Sequence, residues 1–350
     1  MAPPVKFDSP EQFLNSEYLK EIRTQVSTGQ WPNSCAICKK KHSAGLPNDT
    51  TNWDNNYASA GSPSLDLPNV LFLDLRTSNM CNLKCRMCGP ESSSQWNTEL
   101  KDHTELQNWM SPIDDTDKSN FEYFLSLDLI QIKLLGGEPT IDKKVISFIE
   151  QLAESGRSLP QLRFTTNGTN LNAKFRKSMS KFDNIHVVFS VDAVGDVFEY
   201  IRTNASWPHV EKNIITVYKK ELASQYGFNT ILTPYNIFGL VELLKWYESL
   251  YNHGYKFGVS FTDSNSDFNS IAAVLPHHLG QEIDKLNAYV STVSSRFVED
   301  VPGIDTLITV LNSAKFDQTV HNKFKKFNNT LDTVRKTNLS AIDSRFADYQ

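Results

Sequence analysis

Three of the chain's five cysteines fall within the eight residues from Cys81 to Cys88, in the stretch "SNMCNLKCRMCGP". Cys81, Cys85 and Cys88 are spaced C-x3-C-x2-C. Clustered thiolates bind metal, but a structural zinc ion normally takes four protein ligands. Three leave a coordination position open, which is what substrate or cofactor chemistry requires. In an iron–sulfur cubane, three cysteines hold three irons and the fourth takes an external ligand. The same residues admit two other readings: a zinc site completed by Cys35 or Cys38, and thiols that are simply buried.

Such a loop has to be positioned by regular elements, and the chain supplies them. Short apolar, β-branched runs at 70–75, 129–135, 161–166, 185–191, 228–233 and 257–261 alternate with amphipathic segments such as 143–155 and 240–251. Near-continuous apolar strands alternating with helices predict a parallel α/β arrangement. Six of them suit an open or partial barrel, whose reactive groups sit at the strands' C-terminal ends. The cysteine triplet follows the first run. The second ends in "LLGGEPT", the third in "TTNGT" and the fourth in "SVDAVG". A lone Gly-Gly or Asn-Gly is ordinarily a turn; polar signatures at successive strand ends point to one site. Paired glycines let backbone approach a ligand closely, and Glu138 accepts from an ammonium group.

The cysteine and Gly-Gly-Glu motifs together resemble the radical S-adenosylmethionine (radical SAM) superfamily. That family's signature is C-x3-C-x2-C after the first strand and Gly-Gly-Glu after the second, on a partial (β/α)6 barrel. "CNLKCRMCGP" and "GGEPT" are most similar to the branch that carries SPASM or twitch auxiliary-cluster domains. The resemblance implies a 4Fe-4S cluster on Cys81, Cys85 and Cys88, with S-adenosylmethionine bound at the open iron. An external one-electron donor such as ferredoxin or flavodoxin would reduce the cluster. Cleavage of the cofactor would give a 5′-deoxyadenosyl radical acting on a peptide or protein substrate, or alternatively on a nucleotide or small metabolite. A non-catalytic, zinc-organised scaffold is the reading from outside enzymology.

Residue by residue, the resemblance implies that Gly136 and Gly137 receive the cofactor's amino group through their backbone, with Glu138 nearby. Ser190 and Arg202 face its carboxylate, Asn167 reaches the ribose or carboxylate side, and Asn236 lies near the same pocket. Their ordinary alternatives are a surface ion pair for Arg202 and a helix cap for Asn236. A bulky residue at Gly137 is expected to block the cofactor and leave the cluster loaded. The position before the third cysteine, commonly aromatic in the family, is Met87, whose thioether fills the same space.

The remaining cysteines, Cys35 and Cys38, form "SCAICKKKH", a C-x2-C with His42 following, on a turn-rich loop. They read as a second metal or cluster site, a redox dithiol, or packing residues. No cysteine follows Cys88 in this sequence, so the usual placement of auxiliary-cluster ligands after the barrel is not met.

We expect an N-terminal extension over 1–67, containing a helix over 11–26, a barrel over 68–275 and a helical region over 276–350. His277 and His278 fit a surface or capping role. The 350-residue chain is 39% hydrophobic, enough for a packed core. With 35 basic and 40 acidic residues and net charge -5, it is not one held to nucleic acid by bulk charge. No secretory signal and no membrane-length apolar run are visible, which makes the reducing cytoplasm the expected location.

Overall fold

The computed structural model describes residues 9–43, 72–113, 122–170, 173–264 and 266–350. The chain divides into two compact units: residues 1–71 with 119–128, and residues 72–118 with 129–350.

The first unit contains the helices Pro10–Leu14 and Glu17–Ser27, a 3-10 turn Asn33–Cys35 and the helix Ala36–Ser43. The single helix expected over 11–26 is broken at Asn15 and Ser16. Ser16 adopts an extended backbone and caps the next helix by accepting from Leu19 N at 3.3 Å. Cys35 and Cys38 also depart from expectation: they lie on the 3-10 turn and in the helix after it, not in a loop. Both are free thiols of intermediate burial. The stretch 48–64, "NDTTNWDNNYASAGSPS", whose Asn, Asp, Ser and Gly favour turns, lies outside the described residues.

The second unit is built on six parallel strands in sequential order: β1 Phe72–Arg76, β2 Gln131–Leu135, β3 Gln161–Thr166, β4 Ile185–Ser190, β5 Gln225–Leu232 and β6 Gly258–Asp263. Helices between them make this the partial (β/α)6 barrel. The strand faces differ. Leu73, Leu75, Ile132, Leu134, Leu162, Phe164, Val187 and Phe189 are buried against helices. The helix Lys143–Glu154 answers with Val145, Ile146, Phe148, Ile149 and Leu152 at three- and four-residue spacing. Burying each such side chain contributes roughly 1.5–3 kcal/mol. The opposite face carries Asp74, Arg76, Lys133, Arg163 and His186. The near-continuous apolar strands expected for a sheet covered on both sides are therefore alternating ones in β1 to β3.

The helices from Pro276 onward belong to the same compact unit as the strands, so residue 275 is not a boundary between units. Pro302 O accepts from Val259 N at 2.8 Å along β6. The helix Gln318–Arg335 reaches the cysteine loop through Arg86. Arg86 is fully buried and bonds Asn328 Oδ1 at 2.9 Å and Asp332 Oδ1 at 2.7 Å. His278 is not on the surface: it is buried, bonded to Tyr349 Oη at 3.0 Å, and caps nothing. His277 beside it is exposed.

Candidate functional site

The cysteine loop leaves β1 at Arg76 and has no regular structure up to Ser93, so other groups must satisfy its backbone. Asp142 accepts from Thr77 Oγ1 and from Ser78 Oγ (2.6 Å), while its second oxygen caps the helix Lys143–Glu154. One carboxylate thus ties the start of the loop to the helix after β2. Further along, Arg86 N donates to Ile201 O at 2.8 Å, Trp96 Nε1 to Cys85 O at 2.7 Å and Asn79 Nδ2 to Pro90 O at 2.7 Å.

The Gly-Gly-Glu turn is the loop's other support. Gly136 has φ +113°, and a Cβ there would stand 2.8 Å from Ser78 O. A Cβ on Gly137 would stand 2.1 Å from Met80 O. Between them, Gly137 N donates to Ser78 O at 3.1 Å and Glu138 N to Met80 O at 2.7 Å. The glycines therefore bring β2's exit against the backbone just before Cys81. The close approach expected toward a ligand is first of all an approach to the cysteine loop.

Cys81, Cys85 and Cys88 line a cavity of about 270 Å³. Met87, Gly136, Gly137 and Glu138 line it as well, and so do Asn167, Ser190 and Arg202. Nine of the ten residues expected to hold the cluster and cofactor thus meet at one opening. Asn236 is the correction. It is fully buried and absent from the cavity wall. Its amide donates to Asp192 O (2.9 Å) and Ile231 O (2.8 Å) and accepts from Thr233 N, so it organises the turn after β5.

Arg202 is likewise no surface ion pair. It is buried, its Nη2 lies 2.6 Å from Asp192 Oδ2, and its Nη1 lies 3.8 Å from Cys85 Sγ. The contact with Asp192 is close but not aligned as a hydrogen bond, and Arg202 Nε also has no hydrogen-bond partner. Burial alone would lower the arginine's pKa; Asp192, then Cys85 and Cys88, more than reverse that.

Burial raises the Glu138 carboxyl, although the acid accepts from Asn167 N at 2.7 Å, Thr166 Oγ1 at 2.8 Å and Thr140 Oγ1 at 2.6 Å. It holds the end of β3 against the turn after β2. Asn167 in turn places its amide 3.9 Å from Cys81 Sγ.

The thiols do not carry three negative charges comfortably. Burial, then Cys85, pushes Cys81 up to about 12. A hydrogen bond from Cys88 lowers Cys85 and raises Cys88. Positive charge from bound metal would relieve this, as in any site where thiolates ligate.

The ligand set bears on which metal fits. A tetrahedral structural zinc normally takes four protein ligands, and this cavity supplies three thiols. An incomplete protein ligand set and an unpartnered arginine N–H at the same cavity fit a multi-iron cluster with an anionic ligand on its open side.

Three side chains matter that the sequence reading passed over. Asp192 pairs Arg202 and sits in the quoted "SVDAVG", two residues after Ser190. Asp142 follows closely on "GGEPT". Arg86 lies inside the cysteine motif itself.

Residues 75–246 match the family model described as Radical SAM superfamily. Among curated proteins, GTP 3′,8-cyclase of Thermodesulfovibrio yellowstonii is 27% identical over 164 residues, 43% of this chain and 48% of the relative. GTP 3′,8-cyclase 3 of Mycobacterium bovis is 34% identical over 126 residues, 34% of this chain and 30% of the relative. The chain thus spans about half or less of the length of these relatives. Among solved structures, anSMEcpe with bound AdoMet superposes with a TM-score of 0.46 at 16% identity, covering 67% of this chain and 63% of that one. Streptococcus suis SuiB bound to S-adenosylmethionine gives 0.37 at 16% identity, covering 64% and 45%.

Proposed function

Because the chain belongs to the radical SAM superfamily through residues 75–246, we propose that it is an enzyme that cleaves S-adenosylmethionine to modify a peptide or protein side chain. The observation that carries this reading is the meeting of three thiols, the Gly-Gly-Glu turn and Arg202 at one cavity. When bound, the 4Fe-4S cluster supplies the electron that breaks the cofactor's carbon–sulfur bond and yields the 5′-deoxyadenosyl radical.

This chain's residues would do the rest. Cys81, Cys85 and Cys88 hold three irons. The N–H groups of Gly137 and Glu138 are engaged with the cysteine loop, so an ammonium would be accepted by the turn's carbonyls. Ser190 and Arg202 would take a carboxylate, with Asp192 holding the guanidinium from its other side. Asn167 serves the ribose or carboxylate side. Buried walls such as Leu83 limit water at the site. The reductant would be an external one-electron donor such as ferredoxin or flavodoxin.

The peptide assignment, and the SPASM or twitch branch, are supported by "CNLKCRMCGP" and "GGEPT". The curated relatives' names favour a second reading, a nucleotide substrate. One experiment tests both: anaerobic reconstitution, then mass spectrometry for 5′-deoxyadenosine with candidate peptides and with nucleoside triphosphates. A brown, iron-replete protein making 5′-deoxyadenosine is expected. A colourless protein with stoichiometric zinc would establish the scaffold reading instead.

Cys35 and Cys38 are proposed as a second metal site, completed in part by His42, whose ring lies 5.4 Å from that of Trp31. The Cys35→Ala, Cys38→Ala double variant is expected to keep uncoupled cofactor cleavage. It should lose some metal and become more protease-sensitive around residues 30–60. Unchanged metal content and unchanged proteolysis would leave the pair as packing cysteines.

A further inference from the structure

The strand face that lines the cavity continues downward into the barrel lumen. Arg76, Leu135, Thr165 and Ser190 are on the cavity wall. Side chains two residues away on a strand share its face, which puts Asp74, Lys133, Arg163, Val188 and His186 on the same side. Strand register aligns Asp74 with Lys133, Lys133 with Arg163, and Arg163 with His186. These four residues form one level, about 6.6 Å, or two residues' rise, below Arg76, Leu135 and Thr165.

A closed barrel fills such levels with branched apolar side chains. Here the level holds two cations, an imidazole and one carboxylate. The carboxylate does not neutralise the cations. The Asp74 side chain is 56% exposed, and its contact with Lys133 Nζ is 3.6 Å, a solvated pairing worth little. Arg163 Nε is buried with no hydrogen-bond partner, and among the described carboxylates none forms an ion pair with Arg163. Burial lowers the pKa of Arg163, and burial followed by Arg163 lowers His186 to about 4, so the imidazole adds hydrogen-bonding capacity rather than charge at neutral pH. Gly227, across from His186, brings no bulk: a Cβ there would lie 3.4 Å from His186 Nε2. Arg163 as a whole is half-buried, but a buried N–H left without an acceptor, as at its Nε, is costly unless something supplies one.

We propose that Lys133, Arg163 and His186 form a lumen subsite for an anionic group of the substrate, a carboxylate or a phosphate, which hangs the substrate below the cofactor cavity. The proposal rests on the radical SAM reading only in treating the lumen as the place where substrate sits. Arg76, at the cavity rim, adds positive charge along the route.

The test is calorimetric titration of the full chain with pyrophosphate in one arm and glutarate in the other. At least one is expected to bind, more weakly as salt rises. Arg163→Gln should weaken that binding roughly tenfold or more, as expected for loss of a charge-assisted hydrogen bond. Asp74→Asn, at a solvated position, should tighten it. Preference for pyrophosphate would indicate a phosphate-bearing substrate, and preference for glutarate an acidic peptide or other carboxylate. The subsite is refuted if neither anion binds wild type at tens of millimolar, or if Arg163→Gln leaves binding unchanged. Should Arg163→Gln fail to fold by circular dichroism, Asp74→Asn and Lys133→Gln decide, with no change in either refuting it. Iron content and 5′-deoxyadenosine are measured on the same samples. Anion binding in a protein that never takes up iron would overturn the enzyme reading and leave the subsite; turnover without Arg163-dependent anion binding would do the reverse.

Discussion

A Gly137→Val variant is expected to lose most of its cluster iron, about as completely as a Cys81→Ala variant, and with it all cofactor cleavage. The reason is geometric. The first side-chain carbon at residue 137 would fall 2.1 Å from Met80 O, well inside van der Waals contact, and 2.7 Å from Asn79 C. Neither atom is the free end of a flexible side chain. Both are backbone atoms of the segment leading directly into Cys81. The loop must shift, breaking the bonds from Gly137 N to Ser78 O and from Glu138 N to Met80 O. Cys81 is then displaced relative to Cys85 and Cys88, which are anchored separately through Trp96 and Ile201. The measurement is iron and sulfide per chain after anaerobic reconstitution, alongside far-ultraviolet circular dichroism. A folded Gly137→Val protein with full iron and weakened cofactor binding would return the glycines to the simpler role of clearing space for ligand.

That revision shows where sequence reasoning reaches and where it stops. The triplet and the Gly-Gly-Glu turn were legible because chemistry demands those residue types at short, fixed spacings. What the glycines press against was not, since Ser78 and Met80 are near Gly137 only in space. Arg202 could be named from resemblance, but its counter-ion Asp192 belongs to the turn after β4 and gives no pairing signal along the chain. Asn236 misled: asparagine suits a pocket and a turn equally well, and here the turn takes every polar atom of its side chain. The strands themselves were readable: β3 falls on its expected 161–166, and the other boundaries differ by at most three residues. The polar alternation in "QIKLL" and "QLRFTT" was equally present, but apolar content masked it, and it marks the lumen. Arg86 was the least legible of all. Its partners Asn328 and Asp332 lie 242 and 246 residues away.

That distant contact sets the other large effect. Asp332→Ala is expected to destabilise the protein by about 3–5 kcal/mol, the range for breaking a buried ion pair. The Arg86 guanidinium is fully buried, stacked 3.6 Å from the centre of the Tyr200 ring, and donates to Tyr200 O, Asn328 Oδ1, Asp332 Oδ1 and Thr337 Oγ1. Asp332 supplies the negative charge of this group. It also accepts from Tyr200 Oη at 2.8 Å, Thr337 Oγ1 at 2.7 Å and Leu339 N at 3.0 Å. Its removal leaves a buried cation without a counter-charge and weakens the hold on four further donors, Asn328 Nδ2 among them. The paired change Arg86→Met, Asp332→Leu should recover much of the loss, because two apolar side chains leave no buried charge. Urea midpoints of the parent, Arg86→Met, Asp332→Leu and the double give the cycle, with Asp332→Ala measured beside them. Iron content follows the same logic: Arg86 N still donates to Ile201 O and Asn269 Nδ2 still donates to Arg86 O, so the double variant should keep its loop and load cluster. Parent-like midpoints for Asp332→Ala would mean that the helix Gln318–Arg335 is held by its apolar face alone, through Phe324, Phe327 and Leu331, and that the ion pair adds nothing to the hold on the cysteine loop.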